Sequence, residues 1–251
     1  MARDIRGAMV PKPKKRAQEG TNYQAALDYA WEIFQKTDLK LQTERCGARP
    51  VYGEWKGGRG ETEEDQGKGV ERGGDRIQSE PSGIEVEFMG GRYLLSRGRS
   101  DVLSEGGEEV PIHYKILILH FFLYHNGEKP TGEWISFLDI KDGLLYSNIY
   151  KARTSLPLKF ALKENPGILI EAAKNLGGRE SKVGGDLSAV FEPFHNVPVA
   201  VVFWRGDEEF PPEVNFLFDR GIRDILPAED VVVLAESLGR EIRRYIRQRG
   251  S

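Results

Sequence analysis

The stretch that decides the fold reads VPVAVVFWRGDEEFPPEVNFLFD and occupies residues 197–219. Its two ends are rich in β-branched and aromatic residues, so we expect one strand over 197–204 and another over 214–218. Between them the chain is acidic, and the pair Pro211-Pro212 favours an extended conformation. Concentrated charge between two buried strands is costly unless it meets solvent, a cation or a hydrogen-bond network. This acidic segment is therefore the first candidate site.

The acidic segment has two interpretations. Carboxylates at the mouth of a sheet can bind a hard cation or hold an amine, and a carboxyl group with a raised pKa can act as a general acid or base. Alternatively, its Gly, Pro and Asp residues simply reverse the chain in a solvated turn. The carboxylates of the first interpretation are Asp207, Glu208, Glu209 and Glu213, and Asp219 closes the stretch.

A second concentrated motif, TGEWISF, occupies residues 131–137. Glu133 and Trp134 follow a Pro-Thr-Gly turn, and an indole can form the wall of a flat binding site while a carboxylate orients the ligand. The alternative role for Trp134 is that of an ordinary core anchor. The candidate catalytic residues are Glu133, Glu208 and Glu209. The candidate ligand-binding residues are Glu133, Trp134, Asp207, Glu208, Glu209 and Glu213.

Composition excludes several classes of protein. The 251 residues carry a net charge of −3, whereas nucleic-acid binders normally have a basic surplus, so a nucleic-acid partner is not expected. Cys46 is the only cysteine, which rules out an intrachain disulfide and a Cys-rich metal site within one chain. No apolar run approaches the roughly 20 residues that span a bilayer. The sequence therefore indicates a soluble cytoplasmic protein.

The four histidines are not spaced as a metal site on one helix. His113 and His120 are seven residues apart, which separates them by about 10.5 Å along a regular helix. A metal site that used two histidines would have to assemble across the fold. We predict no metal ligands from the sequence.

The predicted organisation is one α+β domain over residues 21–249, preceded by a disordered basic arm over 1–20 and interrupted by a flexible Gly-rich insertion over 53–83. A mixed or mainly antiparallel sheet packs with several helices, and a long helix that follows Pro227 ends the chain. Strands are also predicted at 84–88, 92–95, 134–137 and 187–191. The other helices are predicted at 21–44, 111–127, 150–162 and 167–176.

Four segments resemble a family known as domain of unknown function 3786, which occurs in bacteria and archaea, often anaerobes. They are PTGEWISF at 130–137, GDEEFPPE at 206–213, LPAED at 226–230 and NYQAAL at 22–27. The resemblance covers most of residues 21–245 apart from the Gly-rich insertion, which looks peculiar to this chain. Some members are labelled iron–sulfur proteins and some carry a separate Cys-rich module. Nothing here matches that module, so no iron–sulfur cluster is expected from this chain alone.

Three functions stay open at this point. The first is a small-ligand or cofactor-binding accessory protein, with the ligand in a pocket formed by Glu133, Trp134 and residues 207–213. The second is an enzyme that uses the clustered carboxylates for acid/base or cation-assisted chemistry. The third is a protein-interaction module that works through the basic ends of the chain. Buried carboxylates in a pocket would favour the first two functions, and exposed, separated carboxylates together with a basic groove would favour the third. The identity of any cofactor is not determined by the sequence.

Overall fold

The protein is described here by a computed structural model that covers residues 19–55 and 80–249. The predicted basic arm lies almost entirely outside these residues, and so do residues 56–79 of the predicted insertion. The described residues form two antiparallel sheets that pack with helices around a shared core. The predicted α+β class is confirmed.

The first sheet has the strand order β1-β2-β3-β4. Its strands are β1 Arg49–Val51, β2 Gly83–Phe88, β3 Gly91–Ser96 and β4 Asp101–Ser104. The predicted hairpin at 84–95 is confirmed, since Phe88 pairs with Gly91 and leaves a two-residue turn at Met89 and Gly90. Both turn residues have positive φ, 52° and 75°, which matches the right-handed twist of the two strands. The short edge strands β1 and β4 were not predicted.

The second sheet has the strand order β5-β9-β8-β7-β6, and all its pairs are antiparallel. Its strands are β5 Trp134–Ser136, β6 Arg179–Ser181, β7 Leu187–Phe194, β8 Val197–Trp204 and β9 Glu213–Asp219. The two strands of the opening stretch, β8 and β9, are neighbours whose register runs from Val199 opposite Phe218 to Trp204 opposite Glu213. The acidic segment is therefore the connection of a β-hairpin.

The helices are α1 Glu19–Lys36, α2 Leu39–Cys46, α3 Ile112–Tyr124, α4 Gly143–Arg153, α5 Ser155–Leu162, α6 Ile168–Asn175 and α7 Ala228–Arg249. The prediction of one helix over 21–44 was wrong, because α1 ends at Lys36 and a second helix, α2, begins at Leu39. Asp38 caps α2 by accepting a hydrogen bond from the Leu41 N–H (3.1 Å). The prediction of one helix over 150–162 was also wrong. The chain bends at Thr154 (φ −114°, ψ −80°), and α4 already begins at Gly143.

The core joins both sheets through α3. Seven consecutive residues of this helix, 116–122, are buried, as expected for a central helix. Phe194 at the end of β7 stacks on Phe121 of α3 (ring centroids 4.2 Å apart) and on Phe88 of β2 (4.6 Å). The buried face of α7, which includes Val231, Leu234 and Leu238, closes the same core.

Candidate functional site

The two predicted site segments lie at opposite ends of β9. Glu213 begins this strand, and Asp219 ends it opposite Trp134. Six residue steps at about 3.3 Å each separate the two ends by about 20 Å. The structure therefore does not bring Glu133 and Trp134 together with residues 207–213 in one pocket.

The acidic segment forms a compact turn that faces solvent. Asp207 Oδ1 accepts hydrogen bonds from the backbone N–H groups of Phe210 (2.7 Å) and Glu209 (2.9 Å). These two bonds hold the pKa of Asp207 below its ordinary value. Glu208 and Glu209 are exposed, and so is Glu213. This geometry is that of the chain-reversing turn, the second of the two interpretations above.

Glu133 and Trp134 have separate surroundings. Glu133 forms an ion pair with Arg220 (2.7 Å) in which both side chains are more than half exposed. Trp134 packs with Trp204 and Leu217 over a small buried cluster on the outer face of the second sheet. The cluster consists of Val190, Ala200 and Val202. Trp134 therefore has the contacts of a core anchor.

Asp219 is a buried carboxylate whose role the sequence did not reveal. It is 3% exposed and accepts hydrogen bonds from the backbone N–H groups of Thr131 (3.0 Å), Gly132 (2.7 Å) and Gly221 (2.9 Å). The Thr131 hydroxyl adds a further bond. Asp219 thus fixes the turn that precedes β5 onto the end of β9, and its oxygen atoms are occupied by the protein itself.

A buried ion pair links α3 to α7. His120 Nδ1 lies 2.6 Å from Asp230 Oδ2, and both side chains are less than a tenth exposed. Burial lowers the pKa of His120, but the charge and hydrogen bond of Asp230, with the charge of Glu229, outweigh it, so the pKa lies above its usual value. Glu229 in turn accepts a hydrogen bond from the Tyr146 hydroxyl on α4. The sequence placed Glu229 and Asp230 near a helix start but did not connect them to His120.

No set of three or more His, Cys, Asp or Glu side chains is arranged to bind a metal ion within residues 19–55 and 80–249. His125 is buried, and burial lowers its pKa to about 4, with a smaller effect from His195. Burial raises the pKa of the Cys46 thiol to about 11, which keeps it protonated and unreactive. Cys46 therefore has the environment of a small residue that packs in the core.

The feature that stands out is an apolar surface on α4, α5 and the preceding 3₁₀ turn at Phe137–Asp139. Six of the eleven large apolar side chains that are exposed in the described residues lie here, within 23 positions. We call these six the α4–α5 surface: Leu138, Leu144, Leu145, Ile149, Leu156 and Phe160. Leu144 and Leu145 are each 74% exposed and Phe160 is 67% exposed. Such a concentration of exposed apolar residues on two consecutive helices and the turn before them marks an interaction site more often than scattered single residues do.

The inner faces of the same helices hold this surface in place. Tyr150 of α4 stacks on Phe137 at 4.0 Å with an interplanar angle of 4°. Leu158 and Leu162 of α5 are fully buried. Arg153 Nε donates a hydrogen bond to Glu236 of α7 (2.8 Å), which anchors the junction of α4 and α5. The exposed side chains are therefore the outward positions of helices whose other positions belong to the core.

A cleft of about 600 Å³ lies on the outer side of the first sheet. Trp55 forms one wall, and its Nε1–H donates to Glu85 (2.9 Å), which fixes the indole. Arg97 and Arg99 also line the cleft, but Arg97 is already paired with Glu80 (2.6 Å). None of the six predicted ligand-binding residues lines this cleft.

Fold and surface together define an antiparallel α+β domain with an apolar helical surface exposed to solvent. The chain belongs to the family described as domain of unknown function (DUF3786), whose model matches residues 68–241, well over half of the chain. The predicted resemblance is confirmed, although the match begins inside the predicted insertion and leaves out the segment at 22–27. No curated protein and no solved structure matches the chain. Among the described residues, no helix combines the length and apolarity needed to cross a membrane.

Proposed function

We propose that this protein is an interaction module that binds a protein partner through the α4–α5 surface. The observation that carries the proposal is the clustering of six exposed apolar side chains on two helices whose inner faces are packed. The carboxylates of Glu208, Glu209 and Glu213 are exposed and lie at the other end of β9 from Glu133, which is one of the two features expected of an interaction module, the other being a basic groove.

Burial of the α4–α5 surface by a partner can supply a large part of the free energy that association requires. Full burial of one leucine or phenylalanine side chain contributes about 1.5–3 kcal/mol. Association costs about 4–15 kcal/mol in lost freedom of motion. Leu144, Leu145 and Phe160 together therefore offset a substantial part of that cost when a partner covers them.

The proposal is tested by site-specific photocrosslinking in cells of the host. A photoreactive phenylalanine analogue replaces Leu145, Phe160 or, as the control, Leu41, an exposed leucine on α2 away from the surface. We expect one protein to be crosslinked from positions 145 and 160 and not from position 41. That protein is then purified and titrated with the wild-type chain.

Glutamate substitutions test whether the crosslinked protein binds specifically to the α4–α5 surface. Leu145→Glu and Phe160→Glu are each expected to weaken the reconstituted complex at least about tenfold, because a carboxylate is then buried in an apolar contact. Leu41→Glu is expected to leave the affinity unchanged. An affinity that is the same for all three variants, or a crosslink that also forms from position 41, contradicts the proposal.

Small-ligand binding, the first function favoured by the sequence, is the second candidate, and the cleft beside Trp55 is the observation in its favour. Native mass spectrometry of protein purified from its host tests it. A bound mass that is lost in Trp55→Leu and Arg99→Gln supports the cleft, and one lost in Asp207→Asn/Glu208→Gln supports the acidic segment. An enzyme acting through Glu133, Glu208 or Glu209 has no comparable observation in its favour.

A further inference from the structure

The charged side chains around the α4–α5 surface indicate the chemistry of the partner that it binds. We infer that the surface binds an acidic face of another protein, in which an apolar strip is flanked by carboxylates. This inference rests on the proposed function and specifies the chemistry of the partner.

Lysines share the exposed face of α5 with its apolar residues. Leu156, Phe160 and Lys163 follow at helical spacings of four and three and therefore lie on one face. Lys159 Nζ lies 6.0 Å from the centre of the Phe160 ring, at the edge of the same face. Lys163 has one acidic neighbour, Glu164, at 3.8 Å, and both of these side chains are more than 60% exposed. These ammonium groups are free to meet carboxylates of a partner.

The same arrangement recurs on α4. Lys151 follows Leu144 by seven residues, which returns it to the same side of the helix after two turns. Within the part of the chain that the structure describes, Lys141, Lys151 and Lys159 form no ion pair with an acidic side chain. Arg153, by contrast, is paired with Glu236, so its charge is already balanced within the molecule.

The lengths of the two helices disfavour a membrane surface. α4 and α5 have 11 and 8 residues and are separated by the bend at Thr154. Helices that lie on membranes are commonly longer, with one continuous apolar face beside a basic face. Asp142 and Glu164 lie at the ends of the two helices, whereas Lys151 and Lys159 lie within them.

A second copy of this chain is disfavoured by symmetry. A two-fold dimer through the α4–α5 surface would place the same patch of each copy against the other. Each copy would then bring Lys151 and Lys159 to the same interface, and such an accumulation of like charge is unfavourable. A partner with carboxylates around an apolar strip removes this repulsion and adds attraction.

The test uses a random peptide library displayed on phage, selected on the wild-type chain and depleted on the Leu145→Glu/Phe160→Glu variant. We expect the enriched peptides to combine apolar residues at helical spacing with an excess of Asp and Glu. A synthetic copy of one such peptide is then compared with its Asn/Gln counterpart by fluorescence anisotropy. The acidic peptide is expected to bind about tenfold more tightly at low salt, and to lose this advantage at high salt.

Charge variants provide the matched control. Lys151→Glu/Lys159→Glu is expected to weaken the acidic peptide at least about tenfold. Lys174→Glu, on an exposed position of α6, is expected to change its affinity less than twofold. Enriched peptides that are neutral or basic overturn the inference but leave the interaction module standing. The absence of any peptide that depends on Leu145 and Phe160 overturns the proposed function itself.

Two further measurements test the alternative binding partners, a membrane and a second copy of the chain. Binding of the wild-type chain, but not of Leu145→Glu, to vesicles of phosphatidylcholine and phosphatidylserine would show a membrane surface as the ligand. A dimer in analytical ultracentrifugation that dissociates in Phe160→Glu would show a second copy. Either result overturns the acidic-protein inference.

Discussion

Asp230 carries a negative charge in the first turn of α7, where the helix dipole stabilises it, and directs that charge at His120 on α3. A buried histidine that stays charged needs such a partner, because burial alone disfavours the imidazolium ion. The pair joins two helices that both belong to the main core. Its free energy is therefore coupled to pH through the protonation of His120.

The stabilising effect of His120 is predicted to fall as the pH rises above about 6.5, the ordinary pKa of histidine. The pKa of His120 is raised in the folded state, so its stabilising effect is complete below that pH and is lost as the pH passes the folded pKa. His113 and His125 have lowered pKa values, so their effect on stability has the opposite sign and also changes near about pH 6.5. The effect of His120 is therefore measured by urea unfolding as the difference in free energy between the wild type and His120→Asn, at each pH from about 6 to about 8.

His120→Asn is the control for this prediction, since its amide can still donate to Asp230 but does not titrate. We expect the difference in free energy of unfolding, wild type minus His120→Asn, to be largest at about pH 6 and to shrink toward about pH 8, while the effects of His113 and His125 cancel in the difference. A difference that is constant or grows over this interval would contradict the raised pKa of His120.

Two aspartates of the opening stretch show what sequence reasoning can find at the residue scale. Asp207 was expected to face either solvent or a ligand, and it is an exposed residue that caps its own turn. Asp219 has the same chemistry and is nearly fully buried, because Thr131 and Gly132 approach it from 87 or more residues away. Composition reveals a cluster of charge, but burial depends on contacts between distant residues, which one sequence does not contain. His120 and Asp230, 110 residues apart, were missed for the same reason.

At the scale of the element, α4 depends on a close approach at its first residue. A Cβ atom on Gly143 would lie 2.1 Å from the Phe137 carbonyl oxygen and 3.5 Å from the Leu138 Cα. No side chain fits there without moving the backbone of the preceding 3₁₀ turn. Gly143 therefore fixes Leu138 beside Leu144 on the α4–α5 surface.

Gly143→Ala is predicted to lower the free energy of unfolding by about 1–3 kcal/mol through overpacking. Gly98→Ala is the matched control, since a Cβ there meets no atom within 4 Å and its φ is not positive. Thermal unfolding followed by circular dichroism measures both variants. Equal melting temperatures for Gly143→Ala and the wild type would mean that α4 does not require this contact.

Elements were predicted well where local chemistry determines them. The hairpin turn lies one residue before the Gly90-Gly91 pair that indicated it, at Met89 and Gly90, while Gly91 begins β3. Gly90 adopts positive φ at little cost, as glycine does. The bend at Thr154 was missed although the sequence contains a local signal for it: Pro157, in the first turn of α5, has no N–H to donate to the Arg153 carbonyl and therefore opposes one continuous helix. Packing of α5 on β9 and α7 then sets its direction. The outward apolar positions of α4 and α5 were missed with it, since an apolar residue in a sequence is expected to be buried.

On the scale of the whole molecule, three phenylalanines connect parts that the sequence places far apart. Phe194 stacks on Phe88 of the first sheet and on Phe121 of α3. The Met89 N–H also donates to the Pro193 carbonyl (2.9 Å), which joins the β2–β3 turn directly to β7. Both sheets thus share a core and are expected to unfold together, as a single domain does.

Phe194→Ala is predicted to destabilise both sheets equally, by about 3–5 kcal/mol, because it leaves a cavity between them. Two single-tryptophan variants report the two sheets: one keeps Trp55 beside β2, and the other keeps Trp204 at the end of β8. In urea unfolding, Phe194→Ala is expected to shift the fluorescence midpoint of both reporters by the same amount. Phe210→Ala, which removes an identical but 67% exposed side chain, is expected to change stability by less than about 0.5 kcal/mol. Different urea midpoints for the Trp55 and Trp204 fluorescence would instead show that the two sheets fold as separate units. Because α5 packs against the second sheet, the α4–α5 surface would then belong to the unit of that sheet alone.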